Sequence, residues 1–305
     1  MGKNEDDLQK SREERERIKK LFGGIIPESI LKHDKSVVAI DLMADERSYT
    51  STFHQHEADP SKLQSQAEAL QGAFALSGAG ARWGALSRFP QNVGRVLVEL
   101  YSKKGQIVVD PFAGHNSRME LCWRLGRHYI GFDASKKFAE ANEKIKEMLL
   151  HEKTCDLFPD EFNTTISVAR GDSRHMPLKN SCGDFTITSP PYWCLEDYGD
   201  EMEQIGKCDE YSEFMRQLQQ IMSENFRVLR AGAFAVWCVN DFTWEGKFYN
   251  YHGHCIDRMR EVGFKQHDCV ITDFGSSMGQ MFASDIVNNK RLPKRHEYNL
   301  IFVKP

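Results

Sequence analysis

The chain has 305 residues, 40% hydrophobic and 11% aromatic, which is enough for one large core and an appendage. Its 40 basic and 44 acidic residues give a formal charge of -4. That balance excludes a globally basic coat, so a polyanion could be met only by a local basic patch.

No apolar run approaches the roughly 18 to 20 residues of a membrane span, and no apolar leader opens the chain, so no membrane is expected. Eight scattered cysteines without a CxxC pair read as reduced thiols of a cytoplasmic protein. Residues 3–20 are almost all charged or amide and predict an exposed helix, anchored by Ile18, Leu21 and Phe22 and stopped at Gly23 and Gly24. Residues 36–42 predict a strand, 46–66 a polar loop with some helix, and 78–80 a flexible break. Residues 1–80 are therefore read as an N-terminal helix and extension, and 81–305 as the main domain.

From residue 90 the pattern is regular. Helices are predicted at 93–101, 118–125, 136–150, 211–229 and 253–262. Strands are predicted at 106–110, 129–133, 165–169, 184–188, 233–239, 269–273 and 298–303. Apolar strands alternating with amphipathic helices predict a Rossmann-like α/β fold, a mostly parallel sheet covered on both faces.

The first strand of this series ends in Asp110, Pro111, Phe112, Ala113 and Gly114. A small-residue turn at a strand's carboxyl end is where an open α/β sheet meets its ligand, and the free N–H groups of the next helix suit a carboxylate. The second strand ends in Asp133, 23 residues after Asp110, placed for vicinal ribose hydroxyls. The third runs into Asp172. Three acids in register suit a nucleoside ligand, although each could simply cap a following helix. A P-loop and a dinucleotide site are disfavoured, because neither Gly-Lys-Ser/Thr nor GxGxxG is present.

The fourth strand ends in Ser189, Pro190, Pro191, Tyr192 and Trp193. The prolines fix the backbone and remove two donors, leaving the carbonyls of Ser189 and Pro190 to accept from an amino group. An aryl amine is a poor nucleophile, since its lone pair is delocalised into the ring. Holding its hydrogens favours a pyramidal nitrogen whose lone pair can attack a methyl carbon. Tyr192 and Trp193 offer faces on which a base could stack. The bland reading is a rigid turn over core aromatics.

These segments resemble the amino-methyltransferases of DNA modification, which make N4-methylcytosine or N6-methyladenine. Asp110 to Gly114 resembles the family's DPFxG loop for S-adenosylmethionine (SAM). Ser189 to Tyr192 resembles its catalytic [DNS]PP[YFW] motif, and 192–199, 226–232 and 295–303 resemble further family segments. Phe89, within 86–90, resembles the element holding the methionine end of SAM. The likeness covers 82–305.

It implies a SAM-dependent methyltransferase domain with a seven-stranded sheet, one strand antiparallel. It implies SAM as cofactor, DNA as partner, a cognate restriction nuclease as a further partner, and no metal. Ser before the prolines favours N4 of cytosine over N6 of adenine. A non-catalytic SAM- or DNA-binding remnant is the alternative from another class. The SAM half precedes the catalytic half here, the reverse of many relatives. His115, Asn116, Ser117 and Arg118 also depart from the usual Gly-Ser/Thr-Gly-Thr-Thr; Asn116 remains suited to a carboxylate.

Cys194 lacks the Pro-Cys setting of a nucleophilic thiol. His252, His254, Cys255, His267 and Cys269 read as helix, turn and strand rather than as a zinc site. Lys290, Arg291, Lys294 and Arg295 form the clearest basic patch and are the candidate phosphate contacts. Residues 274–291 and 242–252 are the candidate target-side loops.

Overall fold

The computed structural model describes residues 5–21, 28–32, 89–114, 117–154, 164–195, 201–275, 290, 292 and 294–305. The strand expected at 36–42, the polar segment 46–66, the break at 78–80 and the stop at Gly23 and Gly24 lie outside them.

The first helix, α1 (Glu5–Leu21), docks through Ile18, which packs against the main core. Next comes β1 (Ile30–Lys32), then α2 (Gln91–Tyr101), β2 (Ile107–Asp110), α3 (Ser117–Arg124), β3 (His128–Asp133), α4 (Lys136–Thr154), β4 (Ile166–Arg170) and β5 (Gly183–Thr188). The second half runs α5 (Tyr211–Val228), β6 (Leu229–Val239), β7 (Phe242–Trp244), β8 (Lys247–Tyr249), α6 (Tyr251–Val262), β9 (Lys265–Asp273) and β10 (His296–Val303).

The main sheet has eight strands in the order β1-β9-β10-β6-β5-β2-β3-β4. The expected number was seven. The eighth is β1, three residues pairing parallel to β9 from Ile30↔Ile271 to Lys32↔Asp273, too short to show a period of two in sequence. β10 runs antiparallel to both its neighbours, and the other described pairings of this sheet are parallel.

Val108, Val109, Phe185, Ile187 and Val236 have no exposed surface, because helices cover both faces of the central strands. One face is packed by Val93 and Leu97 of α2, Leu121 of α3 and Ile145 and Leu149 of α4. The other is packed by Phe214, Leu218 and Met222 of α5 and Cys255 and Met259 of α6.

Residues 242–252, expected as a loop, instead form the β7–β8 hairpin and the start of α6. Its turn residues Glu245 (φ 46°) and Gly246 (φ 81°) both take positive φ, as a two-residue hairpin turn requires. Glu-Gly is a weaker turn signal than Asn-Gly, which explains why the hairpin does not stand out in the sequence.

Candidate active site

α3 follows β2 on one face of the sheet and α5 follows β5 on the other, while β2 and β5 are neighbours. The chain thus opens a crevice at the carboxyl edge between them, the switch point where such sheets bind ligands. Asp110, Asp133 and Thr188 end their strands there. Because β10 runs the other way, its first residues, His296 and Glu297, reach the same edge.

Asp110 is fully buried, and both its oxygens are occupied. Oδ1 accepts from Thr188 Oγ1 (2.6 Å) and the Phe112 N–H (3.1 Å); Oδ2 accepts from Arg118 Nε (2.7 Å) and the Tyr129 hydroxyl (2.8 Å). Asp110, expected as a cofactor ligand, is the hub that ties the loop to the end of β5. Arg118 also donates to the carbonyls of Phe112 and Ala113 and lies 5.6 Å from the Phe89 ring centroid. Burial opposes its charge, but Asp110 beside it more than compensates and holds the guanidinium protonated. Phe89 is 8% exposed and packs in the core beneath the loop, its ring facing Arg118.

The loop is fixed from several sides. Pro111 O accepts from Ser173, Ala113 N donates to Phe132 O, and Gly114 O accepts from Asn142. Gly114 has φ 50°, which a side chain would resist. Its N–H donates to Asp133 Oδ2 (2.7 Å), and Ser135 N–H donates to Oδ1 (2.8 Å). Burial raises the Asp133 carboxyl to about 6 against the pull of these two N–H groups. Each oxygen of Asp133 therefore keeps lone-pair capacity for a hydroxyl donor.

Asp172 differs. It caps the short turn at Ser173–His175 and accepts from the Arg174 N–H and from Arg174 Nε (2.9 Å each). Partial burial pushes its carboxyl up, but the Arg174 hydrogen bonds win and hold it below the usual range. The third acid is thus engaged by its own neighbour. His115 and Asn116 lie outside the described residues.

Past β5 the motif turns sharply. Among the described residues no hydrogen bond goes to the carbonyls of Ser189 or Pro190, whereas Pro191 O accepts from Tyr251 (3.0 Å). The Tyr192 ring is half-buried, edge-on to Tyr251 (5.9 Å) and Phe242 (6.5 Å), and its hydroxyl donates to Glu297 Oε1 (3.4 Å).

Trp193 corrects an expectation. It is 7% exposed, donates from Nε1 to Cys208 O (2.7 Å) and packs against Tyr211 and Tyr249. Its φ of 52° turns it back into the core, so it supports the site and presents no face to a base. Cys194 beside it has its thiol pushed up by burial.

Two groups at this edge escape a reading of the sequence. Glu297 is 8% exposed, and burial lifts its carboxyl to about 7, against the Tyr192 hydrogen bond and the Arg118 charge. The signal is present: in His-Glu-Tyr-Asn-Leu-Ile-Phe-Val the acid shares the alternation of Asn299 and Ile301, which face the core. The other is Asp241, just past β6, which accepts from His252 Nδ1 (2.7 Å) and lies 3.7 Å from Lys294 Nζ. His252 stacks on Tyr298 at 4.0 Å, His254 meets the Tyr211 hydroxyl, and His267 packs against Phe234, so each of these rings serves its own element.

Of the basic patch, Lys290 is exposed and Arg291 lies outside the described residues. Lys294 leans over the Phe248 ring (5.0 Å) beside Asp241, and Arg295 pairs with Asp273 (3.0 Å). Residues 276–289 of the expected target-side loop also lie outside the description.

Residues 5–144 and 184–305 match a family model described as DNA methylase. The Type II methyltransferase M.HindIII of Haemophilus influenzae is 41% identical over 44 residues, 14% of this chain and 14% of that protein. The orphan methyltransferase M.BamHII of Bacillus amyloliquefaciens is 33% identical over 67 residues, 21% of this chain and 25% of that protein. The chain thus aligns with only these fractions of the two curated relatives. A SAM-dependent methyltransferase structure from Methanosarcina mazei is 13% identical, covering 72% of this chain and 99% of that one with a TM-score of 0.45.

Proposed function

The chain belongs to the DNA methylase family, and from that premise we propose that it transfers a methyl group from SAM to the exocyclic N4 amine of cytosine in DNA. The observation that carries this reading is the hydrogen bond from Thr188 to Asp110, which joins the last residue of the catalytic strand to the hub of the small-residue loop. A methyl donor at the loop and an amine at Ser189 and Pro190 would then be neighbours.

SAM fits the residues present. Asp133 offers acceptor capacity to vicinal ribose hydroxyls, and Gly131 lets the loop sit close on β3, since a Cβ there would lie 3.0 Å from Ala113 Cβ. Bound, SAM supplies an electrophilic methyl group on a sulfonium. The chain's own part is to hold and orient. The carbonyls of Ser189 and Pro190 draw the amine hydrogens into one direction, and Tyr251 fixes the turn through Pro191 O. Tyr192 supports the extruded base, and base–aromatic stacking contributes about 1–3 kcal/mol.

Cytosine is favoured by the Ser that precedes the prolines. Nucleoside mass spectrometry of DNA from expressing cells tests the whole reading. N4-methylcytosine is expected; N6-methyladenine would replace the base but keep the chemistry. Neither product, with SAM binding intact by calorimetry, would make the chain a non-catalytic binder.

A further inference from the structure

Methylation of an aryl amine leaves a proton to be placed. Once the nitrogen lone pair has bonded to the methyl carbon, the nitrogen carries a positive charge until one N–H bond breaks. The carbonyls of Ser189 and Pro190 can orient those hydrogens but are far too weakly basic to keep a proton. A base where the two halves of the site meet would take that proton as the charge develops on nitrogen.

Most described acids at this edge are committed elsewhere, among them Asp273, which ends β9 and holds Arg295 and the Gly275 N–H. Asp110 accepts four hydrogen bonds, Asp133 holds the loop through Gly114 and Ser135, Asp172 holds Arg174, and Asp241 holds His252 beside Lys294. Glu297 is different. It is 8% exposed, yet its one described hydrogen bond is the long one of 3.4 Å from the Tyr192 hydroxyl. A buried carboxyl with so little compensation is costly unless a ligand completes it.

Its position suits that ligand. Glu297 projects on the face of β10 shared with Asn299 and Ile301, the side that carries α3 and the cofactor loop, while its partner Tyr192 belongs to the catalytic motif. The titratable groups facing it among the described residues are Tyr192, Arg118 of α3 and the Cys238 thiol of β6; from β9 it meets the neutral Thr272. Burial pushes the Cys238 thiol well up, so it stays neutral.

We propose that Glu297 is a catalytic residue that accepts the proton shed by the target amine, a role that rests on the methyltransferase reading above. The amine lone pair forms the N–C bond. The S–C bond breaks, with its electron pair going to sulfur and leaving the thioether product. One N–H bond breaks, its pair stays on nitrogen, and the proton goes to a Glu297 oxygen and then to water. Burial that lifts this carboxyl to about 7 makes it a stronger base than an exposed glutamate while leaving it largely ionised above neutrality.

The test uses the full chain, radiolabelled SAM held saturating at every pH and unmethylated genomic DNA under single turnover, from pH 5.5 to 9. The wild-type rate should rise with pH through about 7 and then level. Glu297→Gln should lose roughly 100- to 10,000-fold in rate and lose the acid limb. SAM affinity by calorimetry and DNA affinity should stay within twofold of wild type. Glu297→Asp should recover part of the rate and restore the limb.

A Glu297→Gln variant with the wild-type rate, or one that loses SAM affinity in parallel with rate, overturns the role. Should that variant fail to fold, the wild-type profile decides: a rate flat through pH 7 overturns it. Wild-type protein that methylates no DNA refutes the functional reading itself, whereas an active wild type with an indifferent Glu297→Gln refutes only this inference.

Discussion

Replacing Arg118 by Met should expose how much the cofactor loop depends on one internal ion pair. Arg118 and Asp110 are 6% and 0% exposed, and they are joined at 2.7 Å. The substitution removes the guanidinium's bonds to Asp110, Phe112 O and Ala113 O together. Asp110 keeps Thr188, Tyr129 and the Phe112 N–H but loses its countercharge. Breaking a buried pair by removing one partner costs about 3–5 kcal/mol, because the remaining charge stays buried. Against a total stability of about 5–15 kcal/mol, that is a large share. Urea unfolding at pH 7 measures it.

The double variant Asp110→Asn, Arg118→Met should recover at least about 1 kcal/mol of the loss, since a neutral amide no longer needs the cation. A single variant that loses less than about 1 kcal/mol would place the pair in the exposed, weakly contributing class and refute the hub. A double variant no better than the single would show that the loss was one of packing, not charge.

Three further outcomes follow from the site. Asp133 has its carboxyl raised to about 6 in the free protein, and only the ionised form can accept two ribose hydroxyls; SAM affinity by calorimetry should fall as pH drops through 6, and Asp133→Ala should weaken it by roughly 1.5–3 kcal/mol and abolish that limb. Glu297 titrates at 4.5 when unfolded and at about 7 when folded, so its ionisation destabilises the fold. Stability should therefore decline as pH rises from 4.5 to about 7 and then level, by up to roughly 3 kcal/mol. Glu297→Gln should remove that decline and unfold later than wild type at pH 8, and a variant less stable than wild type there would contradict the burial argument. Finally, exposed Lys290 should matter more to DNA than Arg295, whose charge is shared with Asp273; Lys290→Gln should flatten the slope of log affinity against log salt by about 0.9 for each phosphate the lysine neutralises, Arg295→Gln by less, and equal or reversed slopes would refute the ranking.

Much of this was legible because buried parallel strands announce themselves. Val108 and Val109 and the run ending at Val239 are apolar on both faces, and Phe185 and Ile187 alternate with buried Thr186 and Thr188, so the boundaries of these strands fall within a few residues of the expected ones. Other features had no such signal. β1 takes its structure from its neighbour β9, not from its own three residues. Trp193 looks like a platform beside Tyr192, but a positive φ rotates it inward, and no local pattern distinguishes the two rings. Asp110, Asp133 and Asp172 are equivalent in sequence as acids at strand ends. The structure separates them by what donates to each: a buried guanidinium and two hydroxyls, two backbone amides, and an adjacent arginine.

The order of the two halves along the chain also loses its importance once the sheet is drawn. β2 and β5 lie side by side although 77 residues separate Val108 from Phe185, their paired positions. The cofactor loop at the end of one strand and the proline motif at the end of the other are brought together by that pairing, and it holds whichever strand the chain makes first. Thr188 completes the junction: its hydroxyl reaches Asp110 through a 2.6 Å hydrogen bond, and Ser189 of the proline motif is the next residue. Arg118 fixes the hub, and Glu297 meets Tyr192 close enough to feel the Arg118 charge. If the loop holds the methyl donor and the proline motif the amine, either order of the halves along the chain can serve, because transfer would require only their adjacency at the carboxyl edge, and the strand order supplies it.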